Sequence, residues 1–325
     1  RQELSGLDVS KINQIYYVAC GTAYHASLYA QYLLRTWIDL PIYCISASEF
    51  RYGNYRVNEN TLCIFVSQSG ETADTLAALK LSKENKAQTL TVTNVLGSSL
   101  ARLSDYVLYT CAGPEIAVAS TKAYTTQLVL LACLCLKLAS LFNKDVACKN
   151  HMINQLKQMP DVVEQMLAQE EKMAEFAKLL TNQKDAYFIG RQLDYLSVLE
   201  GALKLKEVSY VHADAYMAGE LKHGPIALIE KDTVVIALAT QPSVAQKTIS
   251  NILETVARGA EVILIASQSQ NTEGFEYVIR IPDVDPLLSC IPATVLLQEL
   301  AYYVAKEKGC DVDKPRNLAK SVTVE

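Results

Sequence analysis

The loop from Ser67 to Thr72, with the sequence SQSGET, is rich in hydroxyl and amide side chains that can donate hydrogen bonds to an anion. The apolar run 62–66 before it predicts a buried parallel strand, and residues 73–86 after it have helical spacing. Free N–H groups and the helix dipole make such a strand-to-helix loop attractive to an anion. Because the loop lacks the lysine of the nucleotide-binding pattern Gly-x4-Gly-Lys-Ser/Thr, we predict a small phosphomonoester held by neutral donors.

Ordinary helix capping is an alternative explanation of the same loop. Ser69 or Thr72 can each accept a hydrogen bond from the first N–H groups of the following helix. Glu71 suits a capping role, and its charge would repel a phosphate unless the side chain points away from the loop. The residues alone therefore leave both interpretations open.

Three charged residues form a second candidate site in the segment 200–207. Glu200, Lys204 and Glu207 share one face of a helix that we predict to open at Glu200, close to a strand end. A solvated ladder of ion pairs is the simpler interpretation. A lysine close to a glutamate is, however, also the arrangement that tunes a general base.

Three further residues lie in segments that suit a site. His223 is placed between Gly219 and Gly224, where the backbone is free to present an imidazole, although a lone histidine is more often structural. Thr22 follows the first predicted strand, and Ser120 precedes an apolar helix. Helix capping explains these two hydroxyl groups equally well.

The elements that position these residues occur twice, about 171 residues apart. Four predicted strands of the first copy have counterparts in the second at about this spacing: 16–21 matches 186–190, 62–66 matches 234–238, 89–93 matches 262–265, and 105–108 matches 276–279. Each copy alternates strands with helical segments, which predicts an α/β fold made of two parallel sheets, each flanked by helices on both faces. Ligands of such sheets bind beyond the carboxyl ends of the strands.

The second copy has Thr240-Gln241-Pro242-Ser243 where the first has the SQSGET loop. Proline lacks an N–H group, so we predict one phosphate site per chain. The predicted division of the chain is a first unit at 1–143, a helical linker at 144–182, a second unit at 183–310 and a C-terminal tail at 311–325.

Composition narrows the class of protein. The chain has 325 residues, half of them hydrophobic and 20% charged, which is enough for two globular domains. The net charge of −5 argues against nonspecific binding to nucleic acid or to an anionic membrane. The longest hydrophobic helix candidate, 128–136, is interrupted by Lys137 and is predicted to be too short to span a bilayer.

The nine cysteines are odd in number, show no C-x-x-C spacing and lie mostly in apolar segments. This usage indicates buried, reduced thiols and a cytoplasmic protein. The four histidines lack the spacing of metal ligands, so no metal site is predicted.

In combination, these segments resemble the isomerase domain of the glutamine–fructose-6-phosphate aminotransferase family, which is a tandem pair of sugar isomerase (SIS) units. The resemblance covers essentially the whole chain. Six segments support it: the Cys20-Gly21-Thr22 turn, the loop 67–72, the run 118–122, the helix 200–207, the loop 219–225 and the tail 311–325.

The resemblance implies a role for each candidate residue. Ser67, Gln68, Ser69 and Thr72 would bind the phosphate, and Thr22, Ser120 and the backbone at Val118 would contact sugar hydroxyls. Four residues would be catalytic: Glu207 as the base that moves a proton between C1 and C2, Lys204 as the residue that tunes it, His223 in ring opening, and Lys320 as the amine of a Schiff base. No metal or organic cofactor is implied.

The resemblance also implies the reaction and the partners. The family converts fructose 6-phosphate and ammonia into glucosamine 6-phosphate, the first step of hexosamine synthesis, as a homodimer in which His223 serves the neighbouring subunit. An N-terminal glutaminase domain supplies the ammonia. We therefore expect this chain to be the synthase half of a longer enzyme, able to use free ammonia but not glutamine.

Two other functions stay open. A related SIS enzyme can run the reverse kind of step, as a deglycase or an amino-sugar-phosphate deaminase. A noncatalytic module that senses sugar phosphates would need the phosphate loop but not the four catalytic residues.

Overall fold

The computed structural model describes residue 4, residues 6–144 and residues 149–324. Contacts between residues divide the chain into two units. The first unit comprises Arg1–Ile116, Ser120–Asn150 and Ala319–Glu325, and the second comprises Ala117–Ala119 and His151–Leu318.

The first unit is built on a parallel five-stranded sheet in the order β2-β1-β3-β4-β5. Its strands are β1 Gln14–Ala19, β2 Ile42–Ser46, β3 Thr61–Ser67, β4 Gln88–Thr93 and β5 Tyr106–Tyr109. Its helices are α1 Gly21–Trp37, α2 Ala47–Phe50, α3 Ala73–Glu84, α4 Ser99–Leu103 and α5 Lys122–Leu141. The central strand β3 is buried over its whole length, as expected of a strand with helices on both faces.

The second unit repeats this topology, with strand order β7-β6-β8-β9-β10. Its strands are β6 Asp185–Gly190, β7 His212–Met217, β8 Val234–Ala239, β9 Glu261–Ser267 and β10 Tyr277–Ile281. Its helices are α6 Lys149–Leu167, most of which lies in this unit, α7 Glu170–Ala177, α8 Leu193–Ser209, α9 Ala245–Val256 and α10 Cys290–Glu307. Four short 3₁₀ turns complete it: Lys178–Leu180, Glu220–His223, Pro225–Leu228 and Pro286–Leu288.

The strand order places a topological switch point in each sheet. In the first unit the chain turns to one side from β1 to β2 and to the other side from β3 to β5, so the carboxyl ends of β1 and β3 adjoin where the order reverses. The carboxyl ends of β6 and β8 form the same arrangement in the second unit. This is the position at which open parallel sheets bind ligands.

Close packing fixes the helix that contains the charged candidates. Gly201 in α8 faces Leu297 of α10, and a Cβ at Gly201 would lie 2.8 Å from the Leu297 Cδ1 atom and 3.1 Å from the Phe188 ring. Any larger side chain would push α8 away from α10 and from the sheet. The neighbouring residue Glu200 is thereby held inside the second unit.

The predicted fold class is confirmed, since two parallel sheets flanked by helices are present. Several details of the prediction were wrong. Each sheet has a fifth strand, β2 or β7, that the repeat did not reveal. Helix α8 begins at Leu193, so Glu200 lies in its interior and does not open it.

The apolar helix and the thiols also differ from expectation. Helix α5 has 20 residues. Both α5 and the segment Pro286–Glu307 are long and apolar enough to cross a membrane. Their most apolar windows are 56% and 72% buried inside the protein, as in the core helices of folded domains. Cys111 and Cys133 are exposed, so burial does not extend to all the cysteines.

Candidate active site

The SQSGET loop closes on itself directly after β3. The Gly70 N–H group donates to the Ser67 hydroxyl at 3.0 Å, and the hydroxyls of Ser67 and Thr72 lie 3.2 Å apart. Gly70 has φ +67°, and a Cβ there would overlap the Ser98 hydroxyl. Only glycine fits this turn without strain. The loop thus gathers hydroxyl groups at the N-terminus of α3, beside the switch point of the first sheet.

Capping of α3 by Thr72 does not explain this loop. Thr72 is the residue that precedes α3, but its side chain makes no capping hydrogen bond. The Glu71 carboxylate accepts the Ser99 N–H group at 2.8 Å, at the start of α4, and hydrogen bonding by Ser99 lowers the pKa of Glu71. The Glu71 carboxylate therefore caps a different helix, while the Ser69 hydroxyl accepts the Glu71 N–H group at 3.2 Å within the loop.

The C-terminal segment 319–324 lies against the same loop in the first unit. The Ser321 hydroxyl is 3.1 Å from the Ser69 hydroxyl, and the Ala73 N–H group donates to the Val322 carbonyl at 3.1 Å. Lys320 directly precedes Ser321 and is partly buried. The sequence had indicated Lys320 only through the family resemblance, and it gave no signal for the contact made by Ser321.

The other predicted substrate contacts lie on separate elements. Thr22 lies in the first turn of α1, which follows β1. The Ser120 hydroxyl donates to Glu115 at 3.0 Å, and the same carboxylate accepts the N–H groups of Thr121 at 2.7 Å and of Ala123 at 3.2 Å. Glu115 therefore caps α5 and orients Ser120, a role that sequence reasoning missed.

Val118 lies in the second unit, where its N–H group donates to the Asp313 carbonyl at 2.9 Å. This backbone bond joins the run 118–122 to residue 313, near the start of the C-terminal tail. The same unit fixes Arg316, whose N–H group donates to the Tyr210 hydroxyl at 2.9 Å and whose guanidinium lies 4.1 Å from the centre of that ring.

The three charged residues of α8 form one connected group. The Lys204 ammonium is 3.3 Å from a Glu200 carboxylate oxygen and 2.5 Å from a Glu207 carboxylate oxygen. The side chain of Lys204 is 2% exposed and that of Glu200 is fully buried, whereas that of Glu207 is 22% exposed. A solvated ladder is therefore the wrong description, because only Glu207 reaches solvent.

Electrostatic attraction keeps the Lys204 ammonium charged. Burial alone would lower the pKa of Lys204, but attraction by Glu200 and Glu207 outweighs it and raises that pKa. A buried ammonium between two carboxylates leaves the Glu207 side chain partly accessible and fixed in direction. That is what a general base at neutral pH requires.

His223 lies at the end of the 3₁₀ turn Glu220–His223 in the second unit and is exposed. The following Gly224 has φ +150°, a backbone conformation that other residues rarely adopt. The adjacent Lys222 pairs with Glu254 at 2.7 Å, which anchors the turn to α9. The histidine is thus presented to solvent by a fixed turn.

No group of three or more histidine, cysteine, aspartate or glutamate side chains is placed to hold a metal ion among residues 4, 6–144 and 149–324. The loop hydroxyls can form hydrogen bonds to an anion, and the carboxylate of Glu207 and the amine of Lys320 are groups able to transfer a proton and to attack a carbonyl.

Comparisons with known proteins agree with this geometry. The SIS domain family matches residues 8–137 and 179–301. The chain is 52% identical over 321 residues to a glutamine–fructose-6-phosphate aminotransferase [isomerizing] from Caldanaerobacter subterraneus subsp. tengcongensis, covering 98% of this chain and 53% of that protein. It is 47% identical over 320 residues to the protein of the same name from Escherichia coli, covering 98% of this chain and 52% of the relative. The chain therefore spans about half the length of these curated relatives.

Two solved structures are also similar. The C-terminal domain of glucosamine-fructose-6-phosphate aminotransferase from Francisella tularensis is 38% identical, with a TM-score of 0.91 and coverage of 96% of this chain and 89% of that one. A glucosamine-6-phosphate deaminase from Thermotoga maritima is 26% identical, with a TM-score of 0.78 and coverage of 97% and 92%. The chain belongs to the SIS domain family, contains two SIS units and is homologous to the isomerase half of the glutamine–fructose-6-phosphate aminotransferases.

Proposed function

We propose that this chain converts fructose 6-phosphate and ammonia into glucosamine 6-phosphate and water, the first step of hexosamine synthesis. The observation that supports this most is the Glu200–Lys204–Glu207 group on α8, in a chain 52% identical to an aminotransferase of that activity. A noncatalytic sugar-phosphate sensor would not need a carboxylate fixed by a buried lysine, since such groups cluster at catalytic sites.

Seven residues are proposed to bind the substrate. The donors gathered at the start of α3 suit a phosphate, and Glu115 holds Ser120 in one orientation for a sugar hydroxyl. The proposed phosphate contacts are Ser67, Gln68, Ser69 and Thr72, and the proposed sugar contacts are Thr22, Ser120 and the backbone at Val118.

The chemistry divides among four residues. His223, contributed by the neighbouring subunit of a homodimer, shuttles the proton that opens the sugar ring, for which an imidazole is suited near neutral pH. The Lys320 amine attacks the C2 carbonyl with loss of water, and ammonia then displaces the lysine to leave an imine at C2. Glu207 takes a proton from C1 and returns it to C2, while the C1 hydroxyl proton passes to the imine nitrogen, so that C1 becomes the aldehyde and C2 carries the amine. Lys204 keeps the Glu207 carboxylate oriented.

The partners follow from the same proposal. In the longer enzyme, an N-terminal glutaminase domain supplies ammonia to this half, and the enzyme works in the cytoplasm. Neither a metal nor an organic cofactor is needed, because the imidazole, the amine and the carboxylate together perform the steps of the balanced reaction.

Incubating the purified chain with fructose 6-phosphate and ammonium, without glutamine, tests this proposal. We expect glucosamine 6-phosphate, identified by mass spectrometry, and no release of ammonia from glutamine in a parallel reaction. The matched control is Glu207→Gln, which retains shape and hydrogen bonding but cannot accept the proton. Full activity in that variant would refute the assigned role of Glu207.

The same reaction separates the competing functions. A deaminase direction is favoured by the Thermotoga maritima similarity, and it would appear as faster release of ammonia from glucosamine 6-phosphate than its synthesis. Binding of fructose 6-phosphate without any turnover would favour the sensor. Formation of glucose 6-phosphate alone would show that proton transfer works but that amination requires the glutaminase half.

A further inference from the structure

The second unit has a buried polar cluster at its own switch point. Asp194 lies in the first turn of α8, which follows β6, and Thr240 and Gln241 directly follow β8. Their exposed fractions are only 2%, 2% and 4%. This is the position in the second sheet that the SQSGET loop occupies in the first.

Hydrogen-bond donors converge on the Asp194 carboxylate. The Thr240 N–H group donates to Asp194 Oδ2 at 2.8 Å, and the Thr240 hydroxyl donates to Oδ1. The backbone N–H group of Gln241 adds a third donor. Burial raises the pKa of Asp194 to about 6, and these three hydrogen bonds oppose that increase, so the group is ionised at neutral pH.

The side chain of Gln241 is also fully engaged. Its amide donates to the Ser289 hydroxyl at 2.8 Å and to the Pro286 carbonyl at 3.1 Å. The Thr240 hydroxyl is 2.9 Å from the same serine. The cluster therefore forms a rigid shell of neutral polar groups around one buried negative charge.

The two loops are counterparts in sequence. The counterpart runs 62–66 and 234–238 are offset by 172 residues, so Thr240 and Gln241 correspond to Gln68 and Ser69, which directly follow the central strand of the first unit. The first turn of α1 in the first unit has no acidic residue, whereas the first turn of α8 has Asp194. The second unit thus has a hydroxyl group and backbone N–H donors at the end of its central strand. The Asp194 carboxylate, which belongs to the chain itself, accepts from these donors in the place where a bound ligand would do so.

We propose that the second SIS unit retains an anion-binding position at its switch point and that the Asp194 carboxylate occupies this position permanently. The ligand class that fits the vacated position is a small carboxylate anion such as formate. This inference explains why one chain has a single phosphate site, and it does not depend on the reaction proposed above.

The test replaces the internal anion with an external one. Asp194→Gly removes the carboxylate and leaves room for formate, and we expect its thermal unfolding midpoint to fall below that of the unsubstituted chain. Added formate should raise this midpoint saturably, compared with sodium chloride at the same ionic strength. Asp194→Asn is the matched control, because its amide fills the position and leaves no room for formate.

The outcomes are distinct. A saturable rise with formate in Asp194→Gly alone supports the proposal, and an equal response of all three proteins overturns it. If Asp194→Gly does not fold in chloride, refolding becomes the readout. Folding in formate but not in chloride then supports the internal anion, whereas failure in both solutions overturns it.

Discussion

At the scale of single residues, Lys204 is the centre of the charged group on α8. Its ammonium compensates Glu200, which is fully buried, and fixes Glu207, which is not. Replacing Lys204 with Met leaves a buried carboxylate without its partner. We expect Lys204→Met to lower the free energy of unfolding by about 3–5 kcal/mol, measured by urea denaturation, and to abolish turnover of fructose 6-phosphate.

The double variant Glu200→Gln/Lys204→Met separates stability from catalysis. Removing the uncompensated charge should restore most of the lost stability, because burying a neutral amide costs much less free energy than burying a carboxylate. Turnover should stay absent, since Glu207 still lacks the ammonium that orients it. Recovery of both properties would show that Lys204 has only a structural role.

Glu115, like Lys204, is a charged residue that holds a neighbouring side chain in one orientation, in this case beside α5. Its carboxylate satisfies two backbone N–H groups at the start of α5 and also holds the Ser120 hydroxyl as a donor. The lone pairs of the Ser120 hydroxyl oxygen are left to accept a hydrogen bond, as the proposed contact with a sugar hydroxyl requires. A helix-capping interaction and the orientation of a proposed substrate contact are thus provided by one side chain.

At the scale of elements, the bond between the Ala73 N–H group and the Val322 carbonyl joins α3 to the C-terminal segment. Ala73 is the first residue of α3, where proline is well tolerated, and the preceding Thr72 has the extended backbone that proline requires. We expect Ala73→Pro to release the segment, so that carboxypeptidase removes residues 319–325 faster, while the unfolding midpoint changes little.

Ala73→Ser is the control for this substitution, because it retains the N–H group and changes a side chain of similar size. It should be digested at the rate of the unsubstituted chain. If Ala73→Pro is digested no faster than Ala73→Ser, the backbone bond to Val322 is not what holds the segment.

The elements also show how far the sequence determined the structure. The central strands β3 and β8 are buried along their whole length, so their continuous apolar runs predicted them correctly. The edge strands β2 and β7 were missed. Strand β7, with the sequence HADAYM, has no continuous apolar run, whereas the apolar run 42–45 of β2 was overlooked because it has no counterpart of the same kind in the second copy.

The site was predictable to a similar degree. The spacing of Glu200, Lys204 and Glu207 placed them on one helix face, but burial decided that they form a fixed group instead of a solvated ladder. The contact of Ser321 with Ser69 joins residues 252 positions apart, and no local pattern encodes such a pair. Asp194 was missed for the same reason, because its partner Thr240 is distant in sequence.

At the scale of the whole molecule, two units of one topology have divergent polar edges. The edge of the first sheet presents the hydroxyls of the SQSGET loop, with the segment 319–324 against them. The corresponding edge of the second sheet has already used its donors on Asp194. The proposed phosphate site is therefore not duplicated along with the fold, and the two units should respond differently to one ligand.

Hydrogen exchange measured by mass spectrometry checks this asymmetry. Adding fructose 6-phosphate should slow exchange of the backbone amides of residues 68–73 and 319–324, because phosphate binding would order the loop and the segment bonded to it. The amides of residues 240–245 should exchange at an unchanged rate, since the Thr240 and Gln241 N–H groups already donate to a buried carboxylate. The double variant Ser67→Ala/Ser69→Ala, which lacks two of the proposed phosphate donors, should lose the protection in the first unit. Equal protection of both segments in the unsubstituted chain would mean that the second edge also binds the ligand, and the division of labour between the two SIS units would then be wrong.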